Sequence, residues 1–193
     1  MRMSREAMAR HHEEIVSAAA RMLRERGIDG TSVADLMQAA GLTHGGFYRH
    51  FDSKETLVAE AADRAFAGML QSIDESFEKL GPEAGLKRFV TRYLSGAHVK
   101  EPSEGCPVAG FGADAGRAGP AVRKTFAERI RAQIGKLATG IGGSATERQT
   151  KAARLYATLV GAVVIARAAG ENRIAGEVLA AVRDDVDRLI GQV

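Results

Sequence analysis

Apolar side chains recur along this chain at intervals of three and four, and nowhere do they alternate with polar ones over a useful length. That is the pattern of helices packed on one another rather than of sheet. Between Ser4 and Arg26, Ile15, Ala19, Met22 and Leu23 stand at helical spacing among charges, and Gly27 stops the run. Thr31 or Ser32 then offers a side-chain oxygen to the free N–H groups of a second helix with inner face Val33, Leu36, Met37 and Ala40. After a tight turn at Gly41, Thr43–Phe51 reads as a third short helix. Phe47 and Phe51, four apart, face a small core with Leu42, which leaves His44, Tyr48 and Arg49 outward.

The remaining pattern predicts a longer helical body. Asp52 or Ser53 caps a long helix carrying Leu57, Val58, Ala61, Ala65, Phe66, Met69, Leu70, Ile73 and Phe77, which ends near Leu80-Gly81-Pro82. Leu86, Phe89, Val90, Tyr93, Leu94 and Ala97 mark the next helix, and Lys100 to Gly105 reads as loop. Cys106-Pro107 opens another helix running to about Ala115, with proline where its missing N–H does no harm. A cleanly amphipathic helix follows Gly119-Pro120 through Val122, Phe126, Ile130, Ile134, Leu137 and Ile141, and Gly140 to Ser144 ends it. From Leu155 to Ala169 almost every position is apolar, so this helix must be covered on two sides. The final helix carries Val178, Leu179, Val182, Val186, Leu189 and Ile190 on one stripe. The pair suggests four helices meeting across a two-fold axis in a homodimer, with Leu155, Leu159, Val163, Arg167, Val182, Val186 and Leu189 at the interface. A central helix buried within a monomer is the other reading. The predicted fold is all-α: a three-helix helix-turn-helix head, residues 1–52, and a helical body that pairs with a second copy, residues 53–193, with about nine helices.

Composition narrows the chemistry. The 193 residues are 26% charged and 45% apolar, with net charge +3 and pI near 9.2. This permits nucleic-acid binding without requiring it. A single cysteine, Cys106, rules out an intramolecular disulfide and fits a reducing compartment. No uninterrupted apolar run reaches the roughly 18 to 20 residues of a membrane span, and Met1 to Glu6 leads into no apolar signal core, so a cytoplasmic protein without a membrane partner is expected. His12-Glu13 lacks the second histidine of a zinc-binding helix, Gly135-Lys136 lacks the hydroxyl residue of a phosphate loop, and no Gly-x-Ser-x-Gly elbow occurs. The pairs Glu13-Glu14 and Asp184-Asp185 are most simply solvated, and His44 and His50 stand on opposite sides of a helical wheel. No enzyme, metal or cofactor is expected.

The Thr43–Phe51 segment carries the positive signal. In a helix-turn-helix the first helix crosses the DNA backbone and the second enters the major groove. Gly45 and Gly46 each disfavour a helix interior by about 1 kcal/mol. Their presence fits close approach to bases and phosphates, an irregular loop being the alternative. A helical dimer that does not bind DNA, such as a scaffold, would explain the terminal helices but not glycines beside Tyr48, His50 and Lys54.

Thr31-Ser32-x-x-x-Leu36, Ala40-Gly41-Leu42-Thr43, Gly45-x-Phe47-Tyr48-x-His50-Phe51 and Lys54-Glu55-x-Leu57 strongly resemble the head of the TetR/AcrR family of transcriptional repressors, over roughly residues 10 to 60. The remainder resembles the family in helix count and in its apolar terminal pair. The resemblance implies a homodimer on a near-palindromic double-stranded DNA operator, released when a small-molecule effector enters the body. Carried onto matching positions, Thr31 or Ser32, Thr43, Tyr48, His50 and Lys54 would hold phosphates, while His44, Gly45, Gly46 and Arg49 face bases. Hydroxyls, a helix N-terminus and a lysine are ordinary phosphate holders.

For the effector, Met69, Phe89, Tyr93, Phe111, Phe126 and Tyr156 come from several body helices and are either the lining of one cavity or plain core. Cys106 is the distinctive polar candidate. At a helix N-terminus a thiolate is stabilised by unpaired N–H groups. Gly105-Cys106-Pro107-Val108 resembles one branch of the family, and the cysteine position resembles that of electrophile-sensing repressors controlling the reductase for N-ethylmaleimide. A redox-sensing repressor is therefore the alternative function, set against a buried cysteine acting as a small hydrophobe.

Overall fold

The computed structural model of the chain describes residues 5–191, with side chains described as far as Val186. Every regular element among these residues is helical: α1 (Arg5–Arg26), α2 (Val33–Ala39), α3 (Lys54–Leu80), α4 (Pro82–Tyr93), α5 (Gly96–Lys100), α6 (Pro107–Arg117), α7 (Pro120–Ala138), α8 (Ala145–Ala169) and α9 (Arg173–Gly191). Short 3₁₀ segments cover His44–Arg49 and Pro102–Glu104. The helix starts follow local chemistry. Ser32 and Ser144 each form a reciprocal capping box, with Asp35 and Glu147, and Ser53 accepts from the Thr56 N–H. Proline opens α4, α6 and α7.

Four local expectations change. The run from Leu86 to Ala97 is two helices, because Ser95 caps a new one by accepting from the His98 N–H. The segment Lys100 to Gly105, expected as loop, holds the end of α5 and a 3₁₀ turn. Helix α6 is kinked at Phe111, whose φ of −144° is not helical. Ile141 falls beyond the end of α7, although it is buried there.

Two apolar cores share helix α3. The first gathers Ile15, Leu23, Leu36, Phe47, Phe51 and the α3 residues Leu57 to Phe66, and includes Phe111, Val122 and Phe126 from α6 and α7. The second holds Ile73 and Phe77 of α3 with residues of α4 and α7–α9. So the head is not a separate ball on a linker. Its core continues into the body.

Helix α8 is longer than its apolar run. At 25 residues, with an 18-residue window of mean hydropathy 1.4, it would suffice to cross a membrane by length and composition alone. Its buried side packs instead in the second core, through Leu155, Leu159, Val163 and Ala166. This corrects the expected dimer residues. Leu155, Leu159 and Val163 point into their own body, and Val186 is buried and Val182 half-buried in the same core. Arg167 donates to the His98 and Val99 carbonyls of α5. Leu189 lies outside the described side chains. The exposed stripe of α8 is Ala157, Val164, Ile165 and Ala168, with Gly161 half-buried between them. In a helix that is apolar all round, composition does not tell the inward side from the outward one.

The head joins the body at the end of α1. Gly27 has φ +74°, and a Cβ there would stand 2.3 Å from the Asp114 carboxylate of α6. Asp114 Oδ2 accepts from the Ile28 N–H at 2.9 Å, and Lys54 Nζ donates to the Ile28 carbonyl at 2.7 Å. Glu55 Oε1 accepts from the Ala121 N–H at 2.9 Å, capping α7 from the start of α3. Asp114→Ala leaves the half-buried Ile28 N–H without its acceptor and is expected to destabilise the chain by about 1–2 kcal/mol. A urea titration measures it; an unchanged midpoint would mean that packing alone holds the joint.

Candidate nucleic-acid interface

The segment His44–Arg49 is held from behind. Phe47 and Phe51 are buried with ring centroids 5.6 Å apart, and His12 of α1 stacks on Phe51 at 4.5 Å. Tyr48 therefore cannot turn inward. It is 74% exposed, and Thr43, His44, Gly45 and Arg49 are exposed beside it. A Cβ at Gly45 would meet nothing within 4 Å, and one at Gly46 only Met37 Cε at 3.6 Å. Packing within the chain does not require glycine at either position. The segment is a 3₁₀ turn, tighter than the expected α-helix.

Other candidates are redistributed. Thr31 is buried, and its hydroxyl donates to the Gly27 carbonyl at 2.8 Å, which removes it from the set facing DNA. Ser32 stays exposed, with its hydroxyl engaged by Asp35. Lys54 is half-buried and ties the start of α3 to Ile28 through one of its three N–H groups. His50 is half-buried, and its Nδ1 meets no protein partner. Burial, and then the neighbouring His12, His11 and Arg49, draw its pKa below the ordinary 6.5.

The expected effector residues separate into three groups. Met69, Phe89 and Tyr93 line one cavity of about 410 Å³ between α3, α4 and α5. Phe111 and Phe126 do not reach it. They stack edge-to-face at 5.2 Å in the first core. Cys106 and Tyr156 are buried in the second core, Cys106 wholly, with its Sγ 3.6 Å from the Tyr156 hydroxyl. Cys106 does stand at the start of α6, but there the sulfur has no open path to a reagent. Its backbone N–H donates to His98 Nε2 at 3.0 Å, and His98 Nδ1 donates to the Tyr93 carbonyl at 2.6 Å, which fixes the imidazole neutral. Burial lowers the His98 pKa accordingly. Among the described residues no group of three or more His, Cys, Asp or Glu could hold a metal ion.

Residues 15–61 match the tetR family of bacterial regulatory proteins. The head is that of a TetR-family regulator. Curated relatives include the transcriptional repressor KstR2 of Rhodococcus jostii, 47% identical over 47 residues, a stretch spanning 24% of this chain and 23% of that protein. KstR2 of Mycolicibacterium smegmatis is 34% identical over 82 residues, 40% of each chain. An uncharacterized HTH-type transcriptional regulator of Mycobacterium tuberculosis is 31% identical over 108 residues, 54% of this chain and 53% of that one. The matched stretches thus span about half or less of these relatives. Solved structures extend the likeness in fold to nearly the whole chain. NemR of E. coli in its reduced form superposes with a TM-score of 0.78 at 19% identity, covering 94% of this chain and 98% of that one. A TetR-family regulator of Cytophaga hutchinsonii does so at 0.76 and 23% over all of both chains.

Beyond this TetR-type head, sequence reading missed Arg24 of α1, which lines the cavity although it belongs to the head. The signal was available. Arg24 falls four after Ala20 and next to Leu23, on the apolar stripe of α1. The two lowered histidines set a pH dependence. Folding disfavours their protonated forms, so below pH 6.5 the unfolded chain binds more protons and stability falls until the folded values are passed. Denaturant midpoints are expected to decline between about pH 7 and pH 5, and His98→Gln to flatten that slope. An identical slope in the variant would remove His98 from the account.

Proposed function

We propose that the chain is a ligand-responsive transcriptional regulator, a repressor that binds a near-palindromic operator as a cytoplasmic homodimer and is released by a small-molecule effector. Residues 1–52 are the DNA-reading head and 53–193 the binding and pairing body. The observation that carries the reading is the exposed Tyr48, held out by a buried Phe47 and Phe51, next to a glycine whose Cβ would meet nothing. Thr43, Tyr48 and Lys54 serve as phosphate holders, with Ser32 at the cap of α2. His44, Gly45, Gly46 and Arg49 face base edges. KstR2 and the Mycobacterium tuberculosis regulator, each similar to part of this chain, are a transcriptional repressor and a transcriptional regulator by name, which supports the assignment. Pairing is supported by the exposed Val164 and Ile165, which with the small residues Ala157, Gly161 and Ala168 form a continuous stripe on α8.

Titration against the DNA flanking its own gene, at two salt concentrations with nonspecific competitor, tests the reading. Tyr48→Ala is expected to weaken binding to every sequence by roughly tenfold at unchanged thermal stability, because the ring is exposed and its loss leaves the core intact. His44→Ala is expected to change sequence preference instead. A uniform loss from His44→Ala would move that residue to the backbone-holding set, and salt-sensitive binding with no preferred sequence would defeat the regulator reading. For pairing, Ile165→Glu is expected to convert a dimer to monomer in light scattering. A dimer that survives would place the interface elsewhere.

A further inference from the structure

We infer that the cavity between α1, α3, α4 and α5 binds a small organic carboxylate with an apolar body, the carboxylate held by Arg24 and Tyr93. The inference rests on the proposal above that the body takes a small-molecule effector, and it names the chemical class.

The volume of about 410 Å³ suits a small molecule. Met69 and the rings of Phe89 and Tyr93 supply apolar wall. Two lining side chains are withdrawn from solvent with their donors unmet. Arg24 is only 8% exposed, yet its Nε has no partner and its Nη1 reaches the Gly105 carbonyl only at 3.4 Å. Tyr93 is 4% exposed, and its hydroxyl, beside Cys106, makes no hydrogen bond of ordinary geometry. Buried donors without acceptors are costly, and a site that presents them is completed by an acceptor. A carboxylate offers two oxygens in the plane that a guanidinium fork and a phenol can share.

The charge balance selects a single negative charge. Arg24 and Arg92 line the cavity, but so do Glu101 and Glu104, and His98 is neutral with both ring nitrogens engaged. A dianion would face two carboxylates. Glu104 holds Arg24 loosely, at 3.9 Å, and is itself 71% exposed, so a ligand carboxylate can take its place. A wider groove of about 860 Å³ also touches Arg24, but no aromatic ring lines it, and its Lys100 is already paired with Glu171. Arg24 stands three residues before Gly27, at the joint between head and body. A carboxylate drawn to it acts on α1 itself. Occupancy and operator affinity are therefore coupled in both directions.

The test uses the full chain with 4-phenylbutanoate and octanoate as probes, and 4-phenylbutanol and 4-phenylbutylamine as neutral and cationic controls, read by calorimetry and by operator titration. The acids are expected to bind at least about tenfold tighter than the alcohol, and the amine not to bind. Arg24→Gln is expected to abolish the preference for acid while leaving alcohol binding in place, which also reports that the variant is folded. Arg24→Lys keeps the charge without the fork and recovers part of the preference. Tyr93→Phe weakens the acids by about threefold to tenfold. Ala175→Trp, which fills the groove, leaves acid binding unchanged. Acid and alcohol binding alike, no acid bound at millimolar concentration, a preference that survives Arg24→Gln, or loss of acid binding on Ala175→Trp would each overturn the inference. Acid binding without any operator binding would keep it and sink the regulator. Operator binding without acid binding would do the reverse.

Discussion

The end of α1 is the point on which the molecule depends. Within a few residues Leu23 enters the first core, Arg24 reaches the cavity, Gly27 turns the backbone against Asp114, and Ile28 is gripped through its N–H by α6 and through its carbonyl by Lys54. A peptide group held on both sides is fixed in place by two hydrogen bonds. The surface pairs that seam α3 to α7, Asp63 with Arg129 and Asp74 with Lys136, lie in partial solvent and contribute little by comparison. This joint is where head and body meet.

The same constraint explains why the head core does not close on itself. One long helix with two short ones buries little apolar surface alone. Phe111 and Phe126, from α6 and α7, complete the head core through edge-to-face contacts among Phe66, Phe111 and Phe126. Rings that looked available for a ligand are spent on joining head to body. The cavity is left with Phe89, Tyr93 and Met69, and a head residue, Arg24, joins the polar residues of the body that line it.

Burial also decides the chemistry of the body. Cys106 is enclosed beside Tyr156, and its backbone N–H is held by His98. Desolvation pushes the Tyr93 and Tyr156 phenols up, so both remain hydrogen-bond donors at any physiological pH. Although Cys106 stands at a helix start, protein encloses its sulfur completely.

What the sequence determined by itself is what depends on neighbours along the chain. Helix periodicity, the serine caps, the stop at Gly27 and the outward turn of Tyr48 between Phe47 and Phe51 are local, set by spacing of three or four residues and by one or two hydrogen bonds. Tertiary structure alone decided matters that turn on which helix lies opposite. Leu155, Leu159 and Val163 were turned inward, and Phe111 and Phe126 were taken into the head core. An apolar or charged side chain states only that it needs a partner of a given kind. Which partner it receives is settled when packing brings distant helices together, and no local pattern contains that information.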